Sequence, residues 1–170
     1  MKAIVYTTNA GSTAQYAELL SERTGIKAVS LSAAKKELPD GADIIYLGWI
    51  MAGCVKGFAG AVKRFRVRAV CGVGIGRTGT QEDSVRRKTG IAEDIPLFTL
   101  QGNFDAKKLH GVYRPMMELM AKSVGRELSA KQNRTAEEDD MLDMLLHGGS
   151  RVNAENLKAV LDWYAEHKDI

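Results

Sequence analysis

The chain has little of what would commit it to a specialised class. Its two cysteines, Cys54 and Cys71, show no CxxC or other metal-binding spacing, which argues against a disulfide scaffold and a thiolate zinc site and leads to the expectation of a reduced, cytoplasmic setting. Cys71 lies in an apolar run and reads as a small buried hydrophobe. The three histidines, His110, His147 and His167, are too scattered to hold a metal, and none stands in a triad-like spacing with a serine. They read as surface or capping residues, so no metal site is expected and nothing suggests hydrolysis. An excess of either charge is missing too. The net charge of +3 is too small to argue for nucleic acid or an anionic membrane. The local cluster Lys63, Arg64, Arg66 and Arg68 reads as a solvated face. No apolar run approaches the roughly 20 residues of a spanning helix, and no secretory signal pattern is visible. Internal repeats and low-complexity linkers are absent as well.

What remains is an ordinary globular composition. At 170 residues with 45% apolar and 26% charged side chains, one domain over residues 1–170 with its own core is the expectation. Short apolar runs alternate with helical patterns. Ala3–Tyr6, Ala28–Leu31, Asp43–Trp49, Ala69–Val73 and Pro96–Leu100 read as strands, mostly continuous in Val, Ile, Leu and Ala, as strands buried on both faces should be. Helical patterns occupy Thr13–Thr24, Gly57–Phe65 and Thr80–Thr89, and the stretch from Leu31 to Asp43 leaves room for a short helical turn. A last helix carries Leu157, Val160, Leu161 and Tyr164 at i, i+3, i+4, i+7, with Asn153 as its N-cap. Such alternation predicts an α/β protein with a five-stranded parallel sheet and helices on both faces.

One segment breaks the rhythm. Between the fifth strand and the last helix lie roughly fifty residues, far beyond the usual connection of about 2–6, so residues 104–150 or thereabouts read as a helical insertion. Thr135-Ala-Glu-Glu138 is a capping-box pattern, Met141, Leu142, Leu145 and Leu146 form an apolar stripe, and Gly148-Gly149 can stop the helix. An earlier helix is expected over Leu109–Val124, carrying Met116, Met117 and Met120, with Pro115 near its start or at a kink. These stripes pack on the main sheet or form a docking surface for a partner or a membrane edge.

The first connection holds the strongest functional signal. "TTNAGSTAQYAELL" follows the first strand with small and hydroxyl-bearing residues and then opens a helix. In an open α/β sheet, ligands bind beyond the carboxyl ends of the strands, near the switch in strand order. A helix start offers N–H groups and positive dipole potential to an anion. Gly11 lets the backbone come close, Thr8, Ser12 and Thr13 add hydroxyls, and Asn9 suits a tight turn. The P-loop lysine is missing, so a phosphate here would be held by neutral donors. The alternative is a capped turn with no ligand.

With Thr7, Gly11 and Thr13 spaced in this way, the segment resembles the phosphate-binding loop of the flavodoxin family, roughly [S/T]-x-T-G-x-T after the first strand, with one extra residue and with Ala10 where a polar residue often stands. "GWIMAGCVKGFAGAVKRF", Gly48 to Phe65, resembles that family's second flavin loop and the helix after it. "GVGIGRTG", Gly72 to Gly79, stands in the place of the third. The likeness covers most of residues 1–105 and resumes at the last helix. The insertion, "GNFDAKKLHGVYRPMMELMAK", is similar in general shape to that of a subgroup that includes menaquinone-dependent protoporphyrinogen dehydrogenases.

The resemblance implies a flavodoxin-like three-layer sandwich with strand order 2-1-3-4-5 and a non-covalent FMN. It puts the phosphate at Thr8, Asn9, Ala10, Gly11, Ser12 and Thr13. The ring would lie between Trp49, Ile50, Met51, Ala52 and Gly53 on one side and Gly74, Ile75, Gly76, Arg77 and Thr78 on the other. Trp49 would stack on the ring or wedge into the core beneath it. Arg77 would face an anionic reduced flavin or an anionic substrate, or simply solvent.

Gly74-Ile-Gly76-Arg-Thr-Gly79 also spells a dinucleotide fingerprint, but it follows the fourth strand rather than the first, and no acid ends the next strand. A receiver domain shares the sheet order, yet lacks its acidic pair here. The expected function is therefore FMN-dependent electron transfer, by a redox carrier or small reductase, with a redox protein or a small-molecule acceptor as partner. The chain lacks the acidity of typical flavodoxins, which weakens a plain shuttle. The alternatives are a protoporphyrinogen-dehydrogenase-like enzyme that passes electrons to a quinone, with peripheral membrane contact, and a binding module of the same fold without flavin.

Overall fold

The computed structural model describes residues 1–104 and 113–168. In chain order they form β1 (Ala3–Thr7), α1 (Ser12–Thr24), β2 (Ala28–Ser30), α2 (Leu31–Glu37), β3 (Asp43–Met51), β4 (Cys54–Val55), α3 (Phe58–Val62), β5 (Arg66–Gly74), α4 (Glu82–Thr89), β6 (Leu97–Gln101), β7 (Asn103–Phe104), α5 (Tyr113–Ala130), α6 (Ala136–His147), β8 (Gly149–Ser150), a 3-10 turn (Ala154–Leu157) and α7 (Lys158–His167). The main sheet runs β2-β1-β3-β5-β6 with every neighbouring pair parallel. Leaving aside the short β4, this is the 2-1-3-4-5 order expected from the sequence.

Alternate residues of each strand feed two cores. Ala3, Val5, Ile44, Tyr46 and Val70 point to one face, where they meet Leu31 and Ala34 of α2, Phe58 and Ala61 of α3 and Val85 of α4. Ile4, Ile45, Leu47, Ala69, Cys71 and Val73 point to the other and meet Tyr16, Ala17 and Leu20 of α1 and Val160 of α7. Both faces are covered, which is why these strands read as unbroken apolar runs. Burial pushes the Cys71 thiol up to about 12, in keeping with an inert packing role.

Several boundaries differ from the sequence reading, each for a local reason. Leu31 opens α2 instead of ending β2, because the Ser30 hydroxyl accepts from Ala33 N and caps a helix there; the expected short turn is a seven-residue helix. α3 is shorter than the expected Gly57–Phe65 helix. β5 begins at Arg66, before the expected Ala69. A register shift pairs Ile44 with Val67 and Ile45 with Ala69, leaving Arg68 as an extra residue whose Nε donates to Asp43 Oδ1 at 2.6 Å. Bulges accommodate such residues. Asn153 caps the 3-10 turn, through Asn156 N, rather than α7 itself. α4 starts at Glu82, not Thr80.

The insertion leaves and rejoins the sheet through a two-stranded ribbon, with Asn103 opposite Ser150 and Phe104 opposite Gly149. The Thr135 capping box is present, its hydroxyl accepting from Glu138 N while the Glu138 carboxylate accepts from Thr135 N. Lys131, by its hydrogen bonds to that carboxylate, and then the Thr135 N–H hold Glu138 below the usual carboxylate range. α5 continues to Ala130, past the expected Val124, with Pro115 in its first turn, where the missing N–H costs no helical bond. Residues 109–112 of the expected helix, His110 among them, lie outside the described residues. Among the described residues, no helix is long and apolar enough to cross a membrane.

Leu20 is fully buried between α1 and the sheet, whereas Leu146 on α6 is 62% exposed. Leu20→Ala is expected to lower unfolding stability by about 2–5 kcal/mol, and Leu146→Ala to change it by less than about 0.5 kcal/mol. Urea denaturation of the two variants checks the contrast.

Candidate functional site

Three loops leave the sheet side by side at the carboxyl ends of β1, β3 and β5, where the strand order reverses direction. Between them lies a cavity of about 270 Å³, just under the range of about 300–1,000 Å³ usual for small-molecule sites. Most of the residues singled out from the sequence line it. Asn9, Ala10, Ser12 and Thr13 come from the first loop and α1, Trp49 to Gly53 from the second, and Gly74 to Arg77 from the third. Thr8, Gly11 and Thr78 do not line it.

Those three act in the loops themselves. The exposed Thr8 hydroxyl accepts from Gly11 N at 3.1 Å and tightens the first turn. Gly11 has φ 97°, a left-handed backbone that suits glycine. A Cβ built there meets nothing within 4 Å, so within the chain it is conformation and not space that favours glycine. The Thr78 hydroxyl accepts from Gln101 N at 2.9 Å and fastens the third loop to β6. The same loop is held again by Gly79 N donating to Thr99 O, and by the Thr99 hydroxyl donating to Thr80 O.

α1 presents its amino end to the cavity without a side-chain cap, and no acidic residue occupies its first turn. The N–H groups of that turn have no carbonyl partner within the helix. Thr13, in the same turn, is 0% exposed, and its Oγ1 is buried with no hydrogen-bond partner among the described residues. Orphaned buried hydroxyls are rare. This one belongs to a cavity-lining residue next to a positive helix end, where an anion would satisfy both.

The second loop is shaped by a hairpin absent from the sequence reading. Ile50 pairs with Val55 and Met51 with Cys54, antiparallel, across Ala52 and Gly53. Both turn residues have positive φ, 52° and 79°, as the favoured two-residue hairpin demands. Asn-Gly announces such a turn in a sequence; Ala-Gly does not. Trp49 pairs with Val73 and is half-buried at the cavity wall.

Beneath this hairpin the Thr7 and Tyr46 hydroxyls stand 2.9 Å apart, and both donate toward the Lys56 carbonyl at 2.8 and 2.7 Å. Gly57 allows it, since a Cβ there would strike the Tyr46 hydroxyl and come within 2.7 Å of Thr7 Cγ2. Thr7, the residue that opens the family-like pattern, is thus a brace within the fold. Burial pushes the Tyr46 phenol up to about 12.

Other lining residues fell outside the sequence reading. Thr80 and Gln81 follow the third loop, and Thr99 and Asn103 lie at and just beyond the end of β6. All sit at the carboxyl edge of the sheet, a signal that could have found them. Val124 of α5 and Met141 of α6 close one side, so the insertion supplies a wall. Among the described lining residues Arg77 carries the only charge, and its guanidinium lies 3.5 Å from the Glu137 carboxylate of α6 with both groups exposed. An exposed pair of this kind is worth about 0–1 kcal/mol.

No protein-family model, curated protein or solved structure matches the chain.

The raised Tyr46 pKa carries a sign. A phenol whose folded pKa lies above its unfolded value of 10.0 contributes stability that is present below pH 10 and is lost as the pH rises toward about 12. Tyr46→Phe should therefore lose less stability than the wild type over that window, while being less stable near neutrality by about 1 kcal/mol. Urea midpoints measured from pH 8 to 12 test both.

Proposed function

We propose that the cavity binds FMN non-covalently and that the protein works in FMN-dependent electron transfer, as a flavodoxin-like redox carrier or small reductase. The observation that carries this reading is the buried Thr13 hydroxyl without a partner, beside the open amino end of α1. Ser12, Thr13 and the first N–H groups of α1 would hold the phosphate with uncharged donors. The Trp49–Gly53 hairpin and the Gly74–Arg77 loop would flank the ring. Their backbone N–H and C=O groups would meet its polar edge, and Arg77, loosely held by Glu137, would supply positive charge to an anionic ring or substrate. Bound FMN itself supplies one- and two-electron transfer. The chain's part is to position the ring and set its electrostatic surroundings.

A second reading keeps the flavin and makes the protein an enzyme similar to the protoporphyrinogen dehydrogenases, passing electrons to a quinone. What favours it is the wall made by Val124 and Met141, which puts the insertion beside the cavity as that reading requires. The same helices also expose Leu119 and Leu146, at 70% and 62%, apolar side chains open to a membrane edge or an apolar partner.

Purified protein mixed with FMN should keep flavin absorbance through desalting. Thr13→Val should bind FMN about tenfold or more weakly, yet be at least as stable as the wild type without ligand, because it removes an unsatisfied buried hydroxyl. A wild-type protein that stays colourless would sink the flavin reading and leave a ligand-binding module of the same fold. Stopped-flow oxidation of the reduced protein separates the two redox readings. Faster reaction with menaquinone than with a ferredoxin-type protein is expected for the quinone-linked enzyme, and the reverse order for the carrier.

A further inference from the structure

Gln81 forms part of the cavity wall, yet neither holding a phosphate nor flanking a ring calls on its side chain. Among the described residues, two that are not glycine have left-handed backbones, Ala52 with φ 52° and Gln81 with φ 64°. Both line the cavity. The hairpin turn accounts for Ala52. Gln81 has no such reason, since it stands at the N-cap of α4 and its side chain makes no capping bond, the service that Ser, Thr, Asp or Asn would perform there. A left-handed backbone is also costly for a residue with a long side chain, where glycine or asparagine would relieve it. Strain of this kind collects at ligand clamps.

The amide of Gln81 lies against the third loop, its Nε2 3.2 Å from where a Cβ on Gly76 would stand. It makes no hydrogen bond among the described residues. Gln81 lines both the main cavity and an adjoining recess of about 150 Å³ beside Glu137 and Glu138 of α6. An amide offers a donor and an acceptor side by side, the pairing by which glutamine reads a heterocycle edge with matching groups.

We infer that Gln81 is a specificity-determining residue of the cavity, whose amide reads the edge of a planar heterocycle carrying an N–H beside a C=O. The inference rests on the flavin reading for which heterocycle this is, the flavin pyrimidine ring having such an edge. The left-handed backbone is then the cost of aiming the amide at the ligand and not at the helix end.

Calorimetric titration of wild type and Gln81→Gly with FMN and with inorganic phosphate, alongside thermal melts of the free proteins, tests it. Expected for Gln81→Gly are FMN binding weaker by roughly 3- to 10-fold, unchanged phosphate binding and a melting temperature no lower than that of the wild type. Gln81→Asn, which keeps an amide and tolerates the backbone, should recover part of the FMN affinity. Equal FMN affinity in wild type and Gln81→Gly overturns the assignment, and so does an equal loss for FMN and phosphate, which would mean a displaced loop. A wild type that takes phosphate but not FMN overturns the flavin reading and this inference with it.

Discussion

Parallel pairing of β1 with β3, from Ala3 opposite Ile44 to Thr7 opposite Gly48, brings the first and second loops out of the sheet next to each other. β2 lies on one side of this pair and β5 on the other, so the helices that follow β1 and β3 depart to opposite faces and leave a crevice between them. Thr7, Tyr46 and the Lys56 carbonyl tie the base of the second loop to β1. A one-residue slip of β3 would turn Tyr46 to the other face and remove that tie. The cavity is therefore a consequence of register, and its walls are only as well placed as that pairing.

The site is mostly apolar and carries little charge. Its first loop offers helix N–H groups and hydroxyls, its third adds a single arginine, and Thr80, Gln81, Thr99 and Asn103 add uncharged polar groups to an otherwise apolar lining. In such a place an anion would be held by oriented dipoles, whose strength depends on exclusion of water more than on counter-charge. Among the described lining residues, that arrangement leaves Arg77 as the only formal charge. The two left-handed non-glycine residues, Ala52 and Gln81, fall in the same cavity.

The insertion is bonded to the sheet edge and does not hang from it. Gln101 donates to Asp140 at 2.6 Å, and Arg151 meets Asp140 and Asp143 at 3.1 and 3.0 Å. His147 first, and Arg151 after it, hold the Asp143 carboxyl below its ordinary range. On the other side of that edge the buried Tyr16 hydroxyl donates to Gln101 O and accepts from Asn156. Gln101, the last residue of β6, thus joins α1, whose amino end lines the cavity, to α6, which adds Met141 to its wall.

The α/β alternation, the parallel sheet and the position of the three loops were legible in the chain itself, because periodicity and glycine-rich breaks act over a few residues. The capping box at Thr135 and the crowding of hydroxyls before α1 were legible for the same reason. The tertiary structure alone decided that Thr7 and Thr78 serve as braces while Thr13 is buried without a partner among the described residues. It also decided that Ala52-Gly53 turns a hairpin, that Arg68 fits a bulge, and that Val124 and Met141 face the cavity. Each of these depends on what a residue meets from a distant part of the chain, and local pattern carries no record of such meetings.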